Sequence, residues 1–395
     1  MCIGYVTVIN LTEAEKQFLY LLRCHINNEK LPDGYQFDVG RVFSLAMIHN
    51  VLPSIYEIAS QTETDLSMIK MSAIRLFCNQ ISKNTSFREF YNRLMAEGID
   101  VIILKGPVCS VCYEKPDYRL SSDFDIVVEE SQRKKLHDFL ISDGFEAGKS
   151  SYSNPETGLY IEVSATLSEG DGVIKKMADI AFDGFRSRCV TVDSYKTLGF
   201  TENLVYLVYH AFKHFVGSGF GVRQLVDIGL FIKNFRNEID FELADKTISE
   251  MGIKTFYDNL IICFNKYFCD DALLDIDEDN EYICADEFIS DLLTAGVFGK
   301  SSEDRLHSAN LVMNAVQNNK KSGVLGSLFP SYEIMKNKFK LLERFPFLLP
   351  FFWLLRIFDY IFKSIGKNKK VSPAKSIEIA NSRIGLMKKM NIIEQ

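Results

Sequence analysis

The sequence predicts an α+β protein: a sheet domain at residues 98–195, flanked by a helical region at 1–97, a helical domain at 196–330 and a C-terminal helical segment at 331–395. Two observations predict it. Apolar residues recur at helical spacing to about residue 96, and from Gly98 they fall into short runs, "IDVIILKG", "DFDIVVEE" and "GLYIEVSATL", with an amphipathic "SQRKKLHDFLISDGF" between the second and third. Strands alternating with a helix of that length make a sheet domain, and helical spacing resumes at "TLGFTENLVYLVYHAFKHFV".

The N-terminal region starts with Thr12 and Glu15 in the capping-box pattern, followed by Phe18, Leu21 and Leu22 on one helical face. A second helix ends near "HNVLPSIYEIA" and a longer one covers about 64–96, which together read as a cap or lid. The helical domain runs to a glycine-containing break at "KKSGVLGS". After it, "FPFLLPFFWLLRIFDYIFKSIGKNKK" is apolar almost all round, with Arg356, Asp359, Lys363 and Lys367 forming one narrow stripe. Pro346 and Pro350 favour a bent segment packed on the protein. The alternative is contact with a membrane surface or a partner groove through residues 345–367, anchored by Trp353 and the lysines.

Composition narrows the function. A chain of 395 residues, 47% hydrophobic and 25% charged, is long enough for two or three cores. Its net charge of −7 argues against a long nucleic acid as partner, because such binding neutralises many phosphates with Lys and Arg. Any nucleotide it handles is expected to be small. Nine cysteines without repeated spacing predict free thiols in a reducing compartment, and the cytoplasm is the expected location. The first residues lack the basic region of a secretory signal, and no run of about twenty apolar residues predicts a membrane span.

Within the sheet domain, Asp123 and Asp125 share one face of a strand while Phe124 and Ile126 take the other. In the later strand, Tyr160, Glu162 and Ser164 share a face opposite Leu159, Ile161 and Val163. If the strands are neighbours, three carboxylates converge, a set of hard oxygen ligands suited to Mg²⁺ or Mn²⁺ and to phosphoryl or nucleotidyl transfer. Upstream, Lys105 and Gly106 end an apolar strand; a glycine there admits a phosphate close to backbone N–H groups, and the lysine supplies charge. Arg119 can hold a phosphate oxygen bidentately, and Ser122 adjoins the acids. His210 and His214 lie four apart on one helix, with Arg223 and Asp227 on the next. They read as a pocket wall, a packed pair or a transition-metal site, and the glutamate of a zinc protease is missing because Ala211 follows His210.

These pieces resemble a family. A strand ending in glycine, then a strand bearing Asp-x-Asp, then a third acid, resembles the fold of the DNA polymerase beta-like nucleotidyltransferase superfamily, a mixed sheet. More closely, "ILKG", "YRLSSDFDIVV", "HAFKHFV" and "RQLVDIGLFI" resemble a bacterial family known only by its nucleotidyltransferase class, over about residues 40–360. The resemblance implies an NTP, a divalent metal on Asp123, Asp125 and Glu162, a role for Glu162 in deprotonating the acceptor hydroxyl, and a small-molecule or peptide acceptor. Two positions depart from the pattern: Pro107 stands where a serine often follows the glycine, and Ser164 where a histidine is expected.

Three other patterns are read as decoys. "CSVC" at 109–112 lacks the second pair of a structural zinc site, "DIDEDNEYICAD" lacks the glycine and terminal glutamate of a calcium loop, and "GSGFG" at 217–221 follows a helix instead of linking a strand to one. The expected activity is metal-dependent transfer of an NMP group from an NTP to an unidentified acceptor. The alternatives are a catalytically silent module that binds a ligand or peptide, and a membrane-surface assembly factor.

Overall fold

Helix α1, Glu13–Ile26, begins at the capping box the sequence places there: the Thr12 hydroxyl accepts from the Glu15 amide, and the Thr12 amide donates to the Glu15 carboxylate at 2.7 Å. The computed structural model describes residues 11–168, 172–297, 305, 308, 309, 312, 332, 335, 336, 339–355 and 373–393. The expected break at 320–327 and the stripe of Arg356, Asp359, Lys363 and Lys367 lie outside the described residues.

The expected second helix is two, α2 (Val39–Ile48) and α3 (Leu52–Ala59), parted by Asn50 at a positive φ of 55°. The long helix α4 is Ser67–Ala96. It is followed by β1 (Val101–Leu104), the single turn α5 (Gly106–Ser110), β2 (Phe124–Val128), α6 (Arg133–Ser142), β3 (Glu146–Ala147), β4 (Ser151–Ser153) and β5 (Tyr160–Ser164). The sheet order is β1-β2-β5-β4-β3, with β2 and β5 parallel and the other pairs antiparallel. The fold is therefore α+β with a mixed sheet. Helix α7 (Gly172–Ala181) and a small hairpin, β6 (Val190–Val192) with β7 (Tyr195–Thr197), lead to α8 (Phe200–Val216), α9 (Val222–Asn234), α10 (Phe241–Glu250), α11 (Lys254–Phe268) and α12 (Ala285–Ala295).

Strand alternation divides the sheet between two cores. Phe124, Ile126, Ile161 and Val163 pack with Phe87, Phe90 and Leu94 of α4 and Leu136 and Leu140 of α6, and the Phe87 and Phe124 rings stack 3.9 Å apart. The opposite parity, Ile102, Leu104 and Val127, belongs to the larger core built from the helices. That second core also holds Phe18, Leu21 and Leu22 of α1 together with Phe215, Phe256 and Phe264. Helices α1 to α3 are thus part of the helical body, and it is the C-terminal half of α4 that serves the sheet. Gly229 lets α9 close on α11, since a Cβ there would fall 2.1 Å from the Phe264 ring.

In the C-terminal segment, Met335, Leu342 and Phe352 are buried together, while Phe347 is 75% and Phe351 55% exposed. Among the described residues no helix is long and apolar enough to cross a membrane. The eight cysteines described are free thiols.

Candidate active site

The face of the sheet turned toward the helical body carries the acids. Because Phe124 and Ile126 go to the α4 side, Asp125 must point the other way, and in the parallel register its partner is Glu162. Asp123 precedes β2 by one residue. One carboxylate oxygen from each of Asp123, Asp125 and Glu162 lies within 4.8 Å of the others.

The segment presenting them is held on both sides. The Gln80 side-chain oxygen on α4 accepts from the Ser121 amide at 2.8 Å, the Ser121 hydroxyl donates to the Asp123 carbonyl at 2.8 Å, and the Ser122 hydroxyl donates to Asp123 Oδ1 at 2.9 Å. From α9, the Arg223 guanidinium donates to the Leu120 carbonyl. Arg119 donates through Nε and Nη2 to the two oxygens of Asp227, both at 2.8 Å, and the Tyr113 hydroxyl donates to Asp227 as well. The two-pronged grip that the sequence reading assigned to a phosphate is thus made on a buried carboxylate, and it fastens the acid-bearing loop to α9.

Lys105 lies opposite. Its Nζ is 3.1 Å from Asp125 Oδ1 and 3.3 Å from His210 Nε2. Its backbone takes φ 50°, ψ −98°, a conformation L residues rarely adopt. Gly106 itself has no such φ, and a Cβ added there would meet protein no closer than 3.7 Å. Packing alone therefore does not require a glycine at the rim of the site. His210 and His214 sit on α8 with their Nε2 atoms 3.0 Å apart, a hydrogen bond in which one ring donates and the other accepts.

A cleft of about 640 Å³ joins these groups, within the usual range for small-molecule sites. All eleven residues singled out in the sequence line it: Asp123, Asp125 and Glu162 on the sheet, Lys105, Gly106, Arg119 and Ser122 on the preceding loops, and His210, His214, Arg223 and Asp227 on the facing helices. Lys213, which the sequence reading passed over, lines it too. Its signal was present, since Lys213 stands between the two histidines, one helical turn from His210. A lysine in the last turn of a helix also reads as an ordinary partner of the helix dipole.

Electrostatics mark the acids as short of positive charge. Burial, opposed by Lys105 and reinforced by Asp123, holds the Asp125 carboxyl above its ordinary value. Glu162 is raised by burial and then by Asp125 and Asp123. Lys213 is pushed down to about 8 by burial and by Lys105, against the pull of Asp125 and Glu162. His210 is held neutral, well below its usual range, by burial, Lys105, His214 and Arg223. Asp125 and Glu162, whose ionised forms are disfavoured, and the adjoining Asp123 together offer a set of hard oxygen donors that fits a divalent cation of the Mg²⁺ or Mn²⁺ type.

A family described as uncharacterised nucleotidyltransferases matches residues 35–269. The chain belongs to this nucleotidyltransferase family. The matched span runs from just before α2 to the end of α11, more than half of the chain, and contains every residue of the cleft; it stops short of residue 360, to which the resemblance was expected to reach. No curated protein and no solved structure matches the chain.

Proposed function

We propose that the cleft transfers an NMP group from an NTP to an acceptor hydroxyl, with a divalent cation held by Asp123, Asp125 and Glu162. The observation that carries this reading is the convergence of those three carboxylates within 4.8 Å on the floor of a cleft that also holds Lys105, Lys213 and Arg223. The bound cation would neutralise charge on the reacting phosphate and lower the pKa of the attacking hydroxyl. The protein does the rest. Lys105 and Lys213 offset the charge of the triphosphate, and the open rim at Gly106 lets phosphate oxygens approach backbone N–H groups.

In the step itself, the acceptor oxygen bonds to the α-phosphorus and the bond from that phosphorus to the bridging oxygen of the β-phosphate breaks. Pyrophosphate leaves with the electron pair, and the hydroxyl proton passes to the Glu162 carboxylate, which lines the cleft beside Asp123 and Asp125. The expected acceptor is a small molecule or peptide, and the expected location is the cytoplasm, a reading supported by the free thiols of the described cysteines.

The test is a melting shift with each NTP in the presence of Mg²⁺ or Mn²⁺, repeated with Lys105→Ala. A shift that needs the metal and falls in the variant is expected, because a ligand of the native state stabilises it by mass action. If no NTP moves the melting point with either ion, the reading fails.

A further inference from the structure

A second cleft, about 420 Å³, meets the first at Ser121 and Ser122, which line both. Its chemistry is different. The first cleft carries four acids, Asp123, Asp125, Glu162 and Asp227, and the four cations Lys105, Arg119, Lys213 and Arg223. The second offers the amides of Asn50 and Asn79 and the hydroxyls of Ser82 and Thr157, over apolar patches from Leu76, Leu120 and Pro155, with one charge of each sign, Lys83 and Glu156.

Its walls are built in advance. On one side is the face of α4. On the other, the Asn154 side-chain oxygen accepts from the amides of Glu156 and Thr157, both at 3.0 Å, and Gly158 turns the chain at φ +68°. That wall runs directly into β5, which carries Tyr160 and Glu162 into the first cleft. The shared Ser122 hydroxyl touches Asp123. Ser122 thus stands between the second cleft and Asp123, and Lys105, Lys213 and the α8 histidines line the first cleft and not the second.

We propose that this second cleft is the acceptor site, and that it takes a neutral, hydroxyl-rich molecule of monosaccharide size. The inference rests on the nucleotidyl-transfer reading for the word acceptor. Amides and hydroxyls pair with neighbouring hydroxyl groups as donor and acceptor at once, and small apolar patches suit the C–H faces of a sugar ring. A charged acceptor would meet one charge of each sign, Lys83 and Glu156, so the gain at one is offset at the other. The acceptor hydroxyl, reaching past Ser122, bonds to the α-phosphorus as pyrophosphate departs into the first cleft, and Glu162 takes the proton.

The test measures the two clefts separately. Saturation-transfer NMR with glucose, galactose and N-acetylglucosamine, set against glucosamine and glucuronate, reads the second cleft without nucleotide. The metal-dependent NTP melting shift reads the first. Asn79→Trp and Ser82→Trp place bulk in the second cleft from exposed positions on α4, where folding is not at stake. Neutral sugars should bind the wild type and Asp125→Asn, and bind both tryptophan variants at least about tenfold more weakly, a loss of about 1.4 kcal/mol. The NTP shift should survive in the tryptophan variants and vanish in Asp125→Asn. Sugar binding that persists in both tryptophan variants, or a preference for the charged sugars, overturns the proposal. Loss of the NTP shift in the wild type with sugar binding intact overturns the transfer reading and leaves the second cleft a saccharide site.

Discussion

Asp125 of β2 and Glu162 of β5 are register partners across the parallel strand pair, so two acids stand side by side on the sheet face that looks into the cleft. Like charges directly abreast on one sheet face are destabilising unless something neutralises them.

Glu162→Gln should therefore separate function from folding. Turnover should fall by at least about 100-fold if the carboxylate takes the acceptor proton. The melting point of the metal-free protein should stay level or rise, because burial, Asp125 and Asp123 already hold this group against ionisation. A melting point several degrees lower with normal turnover would place Glu162 among the structural residues.

Gly106→Ala tests the rim. A Cβ there would meet its nearest protein atom at 3.7 Å, an ordinary contact, and alanine is favoured over glycine in a helix by about 1 kcal/mol. The variant should melt no lower than the wild type, while its KM for NTP rises at least about tenfold if phosphate oxygens approach this backbone. Unchanged KM would remove the rim from the nucleotide site.

Arg119→Met should be costly. The guanidinium and Asp227 are each 5% exposed in their side chains, and removing one partner leaves the other as a buried, uncompensated charge, a loss of about 3–5 kcal/mol. Arg119→Met with Asp227→Leu should recover a large part of that loss. Chemical denaturation of both variants decides it, and a cost below about 1 kcal/mol for the single change would return Arg119 to the pool of phosphate ligands.

Part of the acid sensitivity should trace to His49. This ring is fully buried; Nε2 lies 3.2 Å from the Leu293 carbonyl and Nδ1 accepts from the Val222 amide at 3.3 Å, so only the neutral form fits. Burial pushes its pKa down to about 4 from an ordinary 6.5, and a histidine depressed in the folded state contributes stability above pH 6.5 that is lost as pH falls toward 4. Between pH 7 and pH 5 the loss should be about 2 kcal/mol from this group. His49→Gln should reduce the loss between pH 7 and pH 5 by about that amount, leaving the part that His25 and His210, also depressed by burial, contribute; a variant with the wild-type pH dependence would show that His49 contributes nothing to it.

How much of this was legible in the sequence follows from the range of each interaction. The two-residue period of the strands fixed which way Asp123, Asp125 and Glu162 point, because their apolar neighbours had to go to the opposite face. The short strands β3 and β4 escaped notice: at 2 and 3 residues, and without apolar alternation, they carry no periodic signal. Arg119 was assigned to a phosphate because nothing local reveals that its partner lies 108 residues away on α9. The second cleft was equally invisible, since its walls come from α4, the Ser121–Ser122 loop and the turn before β5, which only the folded chain brings together.

The same separation has a consequence for the order of events during synthesis. Arg119 leaves the ribosome long before Asp227, and α9 also supplies the Arg223 that grips the Leu120 carbonyl. Until α9 has emerged and docked, the loop bearing Asp123 is held by the N-terminal helices alone, through Gln80 to Ser121, Asn84 to Asp117 and the Tyr118 ring against His25 and Phe77. A nascent chain paused before α9 would already have both acid-bearing strands, yet it would keep the Arg119 charge in water and leave that loop ajar. Synthesis past residue 227 thus acts as a checkpoint: the acids can reach their final geometry only once the helical body that covers them has been made.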